Sequence, residues 1–163
     1  MKFVSKRIEI AMNLRQRLGP VFGCARTGLL LAVRLYWGIQ FAQHGWGKLA
    51  HLDRTAHFFA SLSLPTPAAA ALFVAIVEFA GGILFAVGLG TRVVSLILFL
   101  EMTAAYLIVP DDRVNFSHIL SAPSDFYSAT PYTYWFAALL ILIFGPGRIA
   151  MDSLMRRGVE SPE

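Results

Sequence analysis

Four stretches of the chain are apolar almost without interruption, at about 27–47, 67–90, 92–109 and 130–145, with prolines, glycines and polar residues gathered between them. A helix needs roughly 20 mostly apolar residues to cross about 30 Å of hydrocarbon, so the pattern predicts four membrane-spanning helices. The breaks carry matching punctuation. Pro65-Thr66-Pro67 opens the second helix, since proline in a first turn gives up an N–H that has no helical partner. Gly88-Leu89-Gly90-Thr91 predicts a tight turn, with Thr91 capping the third helix. Pro110-Asp111-Asp112 stops that helix, Thr130-Pro131 starts the fourth, and Gly145-Pro146-Gly147 predicts a left-handed stop. The fourth span is short, about 15 residues or roughly 22 Å. It must reach into the preceding loop or sit in a thinned bilayer. Tyr132, Tyr134 and Trp135 at its start suit an aromatic belt at a membrane surface.

The first residues follow a different pattern. On a helical wheel Phe3, Val4, Ile8, Ile10, Ala11, Leu14 and Leu18 share one side. Lys2, Lys6, Glu9, Asn13, Gln16 and Arg17 take the other. This predicts an amphipathic helix lying in the headgroup layer and ended by Gly19-Pro20; a frayed basic tail is the alternative. Its charges recur too often for the apolar core of a signal peptide. The predicted organisation is a basic arm at 1–26, a four-helix membrane domain at 27–147 and a tail at 148–163. The fold class is all-α, a transmembrane four-helix bundle with an N-terminal interfacial amphipathic helix.

Composition supports this picture and charge orients it. Hydrophobic residues make up 56% of the chain and charged residues 15%, against roughly a quarter charged in soluble domains. The N-terminal arm holds Lys2, Lys6, Arg7, Arg15, Arg17 and Arg26; Arg92 lies in the second connection, and Arg148, Arg156 and Arg157 in the tail. The opposite side has only Lys48, Arg54 and Arg113, beside Asp53, Asp111, Asp112 and Asp125. The positive-inside rule then places both termini in the cytoplasm. The sequence pI of about 9.6 reflects that basic arm rather than a nucleic-acid surface, because no zinc-finger, helix-turn-helix or RNA-binding motif accompanies it. The lipid bilayer is the expected partner. Cys24 is the single cysteine, which excludes an internal disulfide and a CxxC redox pair.

Three charges fall inside the apolar spans: Arg34, Glu78 and Glu101. Each costs on the order of 2.5–3.5 kcal/mol at mid-membrane on insertion scales, so each wants a partner. Arg34 shares a face with Gly38, Phe41, Gly45 and Lys48; Glu78 is flanked by Ala71, Ala75, Gly81 and Gly82, and Glu101 by Ala104 and Ala105. Small residues let helices approach, and the expected pairing is Arg34 with Glu78, leaving a surplus carboxylate that favours a proton. Two readings stay open: a bridge that fixes helix register, or a buried polar site that binds a small polar or quinoid molecule or handles protons. Tyr36, Trp37, Phe41 and Trp46 could supply ring contacts to such a ligand. A second cluster comprises Gln40, Gln43, His44, Trp46 and Lys48, followed by His51 and His57. Its expected role is a polar interface with aromatic anchors. Histidine spacings of seven and six are not those of helical metal ligands, so no metal is expected.

Several motifs occur in a familiar order. Arg34-Leu35-Tyr36-Trp37-Gly38 leads into Gln40-Phe41 and Gly45-Trp46-Gly47-Lys48-Leu49. Then come Phe58-Phe59-Ala60-Ser61-Leu62, Glu78-Phe79-Ala80-Gly81-Gly82, Gly88-Leu89-Gly90-Thr91-Arg92, Asp125-Phe126-Tyr127, Pro131-Tyr132-Thr133 and Phe144-Gly145-Pro146-Gly147 with Asp152. From about 27 to 153 the chain resembles the DoxX family of bacterial membrane proteins. The resemblance implies a four-helix inner-membrane protein. Some relatives are subunits of thiosulfate:quinone oxidoreductase or are linked to quinone and thiol stress, and many have no assigned activity. The family's arginine of the first helix falls on Arg34 and its glutamate of the second on Glu78, with no catalytic role attached to either. The leading expectation is a membrane subunit of a quinone-linked oxidoreductase system, with electrons supplied by a partner subunit, since no haem, flavin or nucleotide motif is visible. A homo-oligomer is the other partner expectation. The alternative function is a non-catalytic accessory protein or a carrier of a hydrophobic metabolite.

Overall fold

The computed structural model describes the backbone of residues 2–159 and the side chains of residues 19–156. Among the described residues eight helices follow one another: α1 (Lys2–Ala50), α2 (Leu52–Ser61), α3 (Pro67–Val87), α4 (Thr91–Ile108), α5 (Pro110–Ser117), α6 (Pro123–Ser128), α7 (Pro131–Phe144) and α8 (Met151–Val159). No strand occurs among the described residues. Helices α3 and α4 are long and apolar enough to cross a membrane, and α7 is a shorter apolar helix.

Each long helix buries one stripe. In α3 it is Ala71, Ala75, Glu78, Gly82 and Phe85; in α4, Thr91, Val94, Ser95, Leu98, Met102 and Tyr106. These recur every three or four residues, the spacing of one helical face. The opposite faces are apolar too. Leu72, Phe73, Ile76, Ile83, Val93, Ile97 and Leu100 are all exposed, which water would penalise and a lipid tail would not. The shared core joins Leu30, Val33 and Phe41 of α1 to Phe85, Val94, Leu98, Met102, Ala137, Ala138 and Ile141.

Glycines set the closest contact. Gly38 of α1 lies against Gly82 and Ala86 of α3, and Gly45 lies against Ala75 and Phe79. A Cβ on Gly45 would overlap the Phe79 backbone, so the two helices meet backbone to backbone in one antiparallel register. Helix α7 packs along α4, and contacts of α3 with α4 and of α1 with α7 complete the packing.

Several helix ends differ from expectation. Helix α1 continues through Gly19-Pro20 instead of stopping there. Gly19 does not take the left-handed conformation that would end it, so Pro20 removes one hydrogen bond and the helix goes on. The predicted amphipathic faces of residues 2–18 lie outside the described side chains. Thr91 is not the cap of α4: it is the first helical residue, and Gly90, with φ +57°, occupies the cap position. The stop after α7 is not left-handed in the αL sense. Gly145 has φ 78° and ψ −177°, a region open essentially to glycine alone. The 111–130 connection is built of α5 and α6. Tyr106 donates its hydroxyl to the Phe126 carbonyl at 2.9 Å and stacks on its ring at 5.1 Å, which ties that connection down.

Candidate functional site

The alternation of helix directions gives the molecule two ends. At one lie α2, α5 and α6, with the C-termini of α1 and α4. At the other lie the Gly88–Gly90 turn, the Gly145–Gly147 turn and α8. Each holds buried charge, and the sequence expectation that Arg34 pairs with Glu78 joins groups that the fold separates. With Gly38 against Ala86 and Gly45 against Phe79, Arg34 stands opposite the end of α3 and Glu78 opposite residues 44–45. Ten helical residues separate those levels, roughly 15 Å, too far for an arginine side chain.

Arg34, 1% exposed, is held at the α8 end. Its Nη1 donates to the Pro146 carbonyl at 2.5 Å and its Nη2 to the Ala86 carbonyl at 3.2 Å. Ala86 lies in the last turn of α3, where carbonyls lack helical donors and the helix dipole favours a cation. Gly88, with φ +81°, packs against the guanidinium, and any Cβ there would overlap it. Arg26 does the same for the end of α7, donating to the Phe144 carbonyl at 2.9 Å.

Asp152 of α8 completes this end. Its Oδ1 accepts the Gly90 N–H at 2.8 Å, while Oδ2 accepts the Thr91 N–H at 2.8 Å and the Thr91 hydroxyl at 2.7 Å. A carboxylate 61 residues away thus provides the N-terminal cap of α4 that the sequence assigned to Thr91. Burial pushes the Asp152 carboxyl up, but the Thr91 and Gly90 donors and the charge of Arg156 outweigh it and hold the pKa below its ordinary value. Arg34 and Asp152 thus form a clamp on backbone groups of this end, with the buried Arg34 Nε alone left without a partner among the described residues.

The α2 end is organised differently. Lys48, in the last turn of α1, forms an ion pair with Glu78, which is 4% exposed. Glu78 thus has lysine as its partner, not arginine, because the lysine stands one turn from it across the α1–α3 contact. Glu101 faces the same space, and neither of its buried carboxylate oxygens has a hydrogen-bond partner among the described residues. These groups line a cavity of about 590 Å³ with Gln43, His44, His51, Arg54 and Thr55. Its walls are apolar, formed by Phe58, Phe59, Leu62 and Leu64 from the α2 side and by Val74, Met102 and Ile108. A smaller adjoining space of about 180 Å³ shares His44, Lys48 and Glu78 and adds Phe41 and Tyr134. Phe41 and Tyr134 meet edge to face, with centroids 4.9 Å apart.

The predicted site residues therefore divide. Glu78, Glu101 and Phe41 converge with Gln43, His44 and Lys48, which sequence reasoning placed in a separate interface cluster. Arg34 belongs to the opposite end. Tyr36, 59% exposed, and Trp37 pair with each other at 4.8 Å and line neither space. Trp46, 60% exposed, lies on Phe79 at 5.7 Å, outside the cavity. The α2 wall and Arg54 were missed; the recurring Phe58, Phe59 and Leu62 beside polar residues was the available signal. Among the described residues no group of three or more His, Cys, Asp or Glu side chains is arranged to hold a metal.

Comparison with known proteins bears on this arrangement. The DoxX family model matches residues 29–111, which carry Arg34, Lys48, Glu78, Glu101 and all of α2. The chain belongs to the DoxX family. DoxX proteins are membrane-associated, in keeping with the two helices able to cross a bilayer. The chain is also similar to a Bacillus subtilis (strain 168) protein named "Putative oxidoreductase CatD", at 28% identity over 128 residues, covering 78% of this chain and 87% of that protein. No solved structure matches. The family match ends at residue 111, so the α7–α8 end with Asp152 lies beyond it.

Proposed function

We propose that this DoxX-family chain is a multi-pass inner-membrane protein, a bundle of four spanning helices (α1, α3, α4 and α7) with both termini in the cytoplasm. In this reading it binds a quinoid molecule in the α2-end cavity as the membrane subunit of an oxidoreductase system. The observation that carries the binding reading is Glu101, whose buried carboxyl group has no partner among the described residues, beside the Lys48–Glu78 pair in an apolar-walled space. An unsatisfied buried acid costs stability, and a ligand carbonyl is what a protonated carboxyl or a lysine ammonium can donate to. The walls supply Phe58 and Phe59 for a ring, and the polar groups converge at one place, the usual make-up of a small-molecule site. The oxidoreductase context is drawn from the name of the Bacillus relative. A bound quinone would accept electrons from a partner subunit, while the residues of this chain hold and orient its carbonyls.

The test is equilibrium binding of decylubiquinone and menadione to the full chain in detergent. Saturable binding weakened about tenfold by Glu101→Gln or Lys48→Met is expected, the loss of about one good hydrogen bond. No saturable binding of either compound would overturn the reading. Saturable binding with no change in quinone redox state in native membranes would favour a carrier of hydrophobic metabolites. Sidedness is tested separately: a reporter after Glu163 should work in the cytoplasm, and one within 111–130 outside it. Two cytoplasmic results would remove the four-span reading.

A further inference from the structure

The α8 end contains an open cavity of about 710 Å³ that the clamp does not fill. Arg92 and Arg156 line it, and among the described residues neither lies within 4.0 Å of a carboxylate, the Lys48–Glu78 contact being the one ion pair found there. Asp152 also borders the space, but both of its oxygens are taken by Gly90 and Thr91. The cavity therefore keeps a net positive charge. Gly145 forms part of its wall, and the Arg92 guanidinium lies 3.8 Å from where a side chain at 145 would begin. The apolar part of the lining is Val93, Phe144 and Met155. Exposed Ile149, Met151, Leu154 and Met155 give α8 and its approach an apolar outer face beside the polar Asp152 and Ser153, the character of a helix lying along a membrane surface.

We infer that this cavity binds the phosphodiester of an anionic phospholipid headgroup, with Arg92 and Arg156 on the phosphate oxygens and Phe144, Val93 and Met155 against the glycerol and upper acyl chain. Planar guanidinium groups match phosphate oxygens two at a time, and basic pockets between helices at a cytoplasmic surface suit such headgroups. The inference rests on the proposed orientation only for which leaflet supplies the lipid.

Native mass spectrometry of the full chain in a neutral detergent tests it, with phosphatidylglycerol, phosphatidylcholine and glycerol 3-phosphate as probes. Phosphatidylglycerol should be retained about tenfold better than phosphatidylcholine, whose phosphodiester is the same but whose choline cation would meet the net positive charge of the cavity. The double variant Arg92→Gln/Arg156→Gln should lose that preference, and Arg113→Gln, at the other end and exposed, should keep it. Arg92→Lys keeps the charge without the planar fork and should weaken retention about threefold, which preserves a readout if the double variant does not fold. Equal retention of the two lipids by the native chain, or undiminished preference in the variants, would overturn the site. Displacement by equimolar glycerol 3-phosphate would assign it to soluble phosphate esters and overturn the lipid part. Retention in detergent is independent of orientation, so a reversed reporter result with intact lipid preference supports the site and removes only the sidedness.

Discussion

The two ends of this protein bury similar charges and treat them in opposite ways. At the α8 end Arg34 and Asp152 are matched to helix-end carbonyls and N–H groups, so each charge also satisfies backbone atoms left over by helix geometry. At the α2 end Lys48 answers Glu78, but Glu101 has no partner among the described residues and borders a cavity. Charges that hold backbone groups stabilise and specify a structure; a carboxylate with neither oxygen engaged leaves room for something to bind. Burial alone does not tell the two apart, since Arg34 and Glu78 are almost equally hidden. What separates the ends is that Arg34 holds two backbone carbonyls and leaves only its Nε without a partner, whereas neither Glu101 oxygen has a partner among the described residues.

Substitutions can break or sharpen that contrast. The largest expected effect is Arg34→Met, which leaves the Pro146 and Ala86 carbonyls without their donor. At about 1.5–3 kcal/mol for each of the two hydrogen bonds to a charged group, unfolding in detergent should show a loss of about 3–6 kcal/mol. Lys48→Met should cost less, because the Lys48 side chain is 30% exposed and its loss leaves no backbone carbonyl without a donor. Equal losses in the two variants would erase the distinction between the ends.

Gly45→Val comes next. The added methyls would meet the Phe79 backbone, which a side-chain rotation cannot clear, and overpacking of this kind costs about 1–3 kcal/mol. Unfolding curves should show the loss, and quinone binding should fall too, because the α1–α3 register places Lys48 beside Glu78. Binding that survives a shifted register would break the link between helix contact and cavity.

Asp152→Ala removes the cap of α4, an effect of about 1–2 kcal/mol. It should also change the acid limb of stability. The folded Asp152 carboxyl titrates below its ordinary value of 3.8, so its contribution is whole above that pH and is lost as pH falls through the folded value. The native protein should weaken in that acid window by an amount that Asp152→Ala no longer shows, measured by thermal unfolding against pH.

The smallest stability effect belongs to Glu101→Gln, within about 0.5 kcal/mol or slightly favourable, since the carboxyl it replaces has no partner to lose among the described residues. Its binding defect should be the larger signal. A strong loss of stability would mean that Glu101 is structural after all, and the contrast between the two ends would fail.

Much of the architecture was legible from one dimension. Apolar run length, with prolines and glycines at the breaks, marked α3, α4 and α7 within a few residues, because helix length and helix ends are local properties. The α1 arm was harder: Gly19-Pro20 reads as a stop, yet nothing local forces Gly19 into the conformation that makes it one. The residue set of the site was also largely legible, since Glu78, Glu101, Gln43, His44 and Lys48 stand out as polar groups in or beside apolar spans. Their grouping was not.

Sequence by itself determined that the chain is helical, that its apolar faces exceed what a core can hide, and that its buried charges needed partners. Which partner each obtained was decided by the register of α1 on α3. That register is set by Gly38, Gly45 and Gly82 meeting backbone to backbone, and a shift along the helix would pair every side chain differently. It placed Arg34 beside the end of α3 and Lys48 beside Glu78, contacts between residues up to 112 positions apart. The cap of α4 by Asp152 arose in the same way, from the return of α8 to the Gly88–Gly90 turn. Pattern and propensity act over a few residues, whereas the pairing of charges across helices depends on the three-dimensional fit of surfaces that only the folded chain brings together.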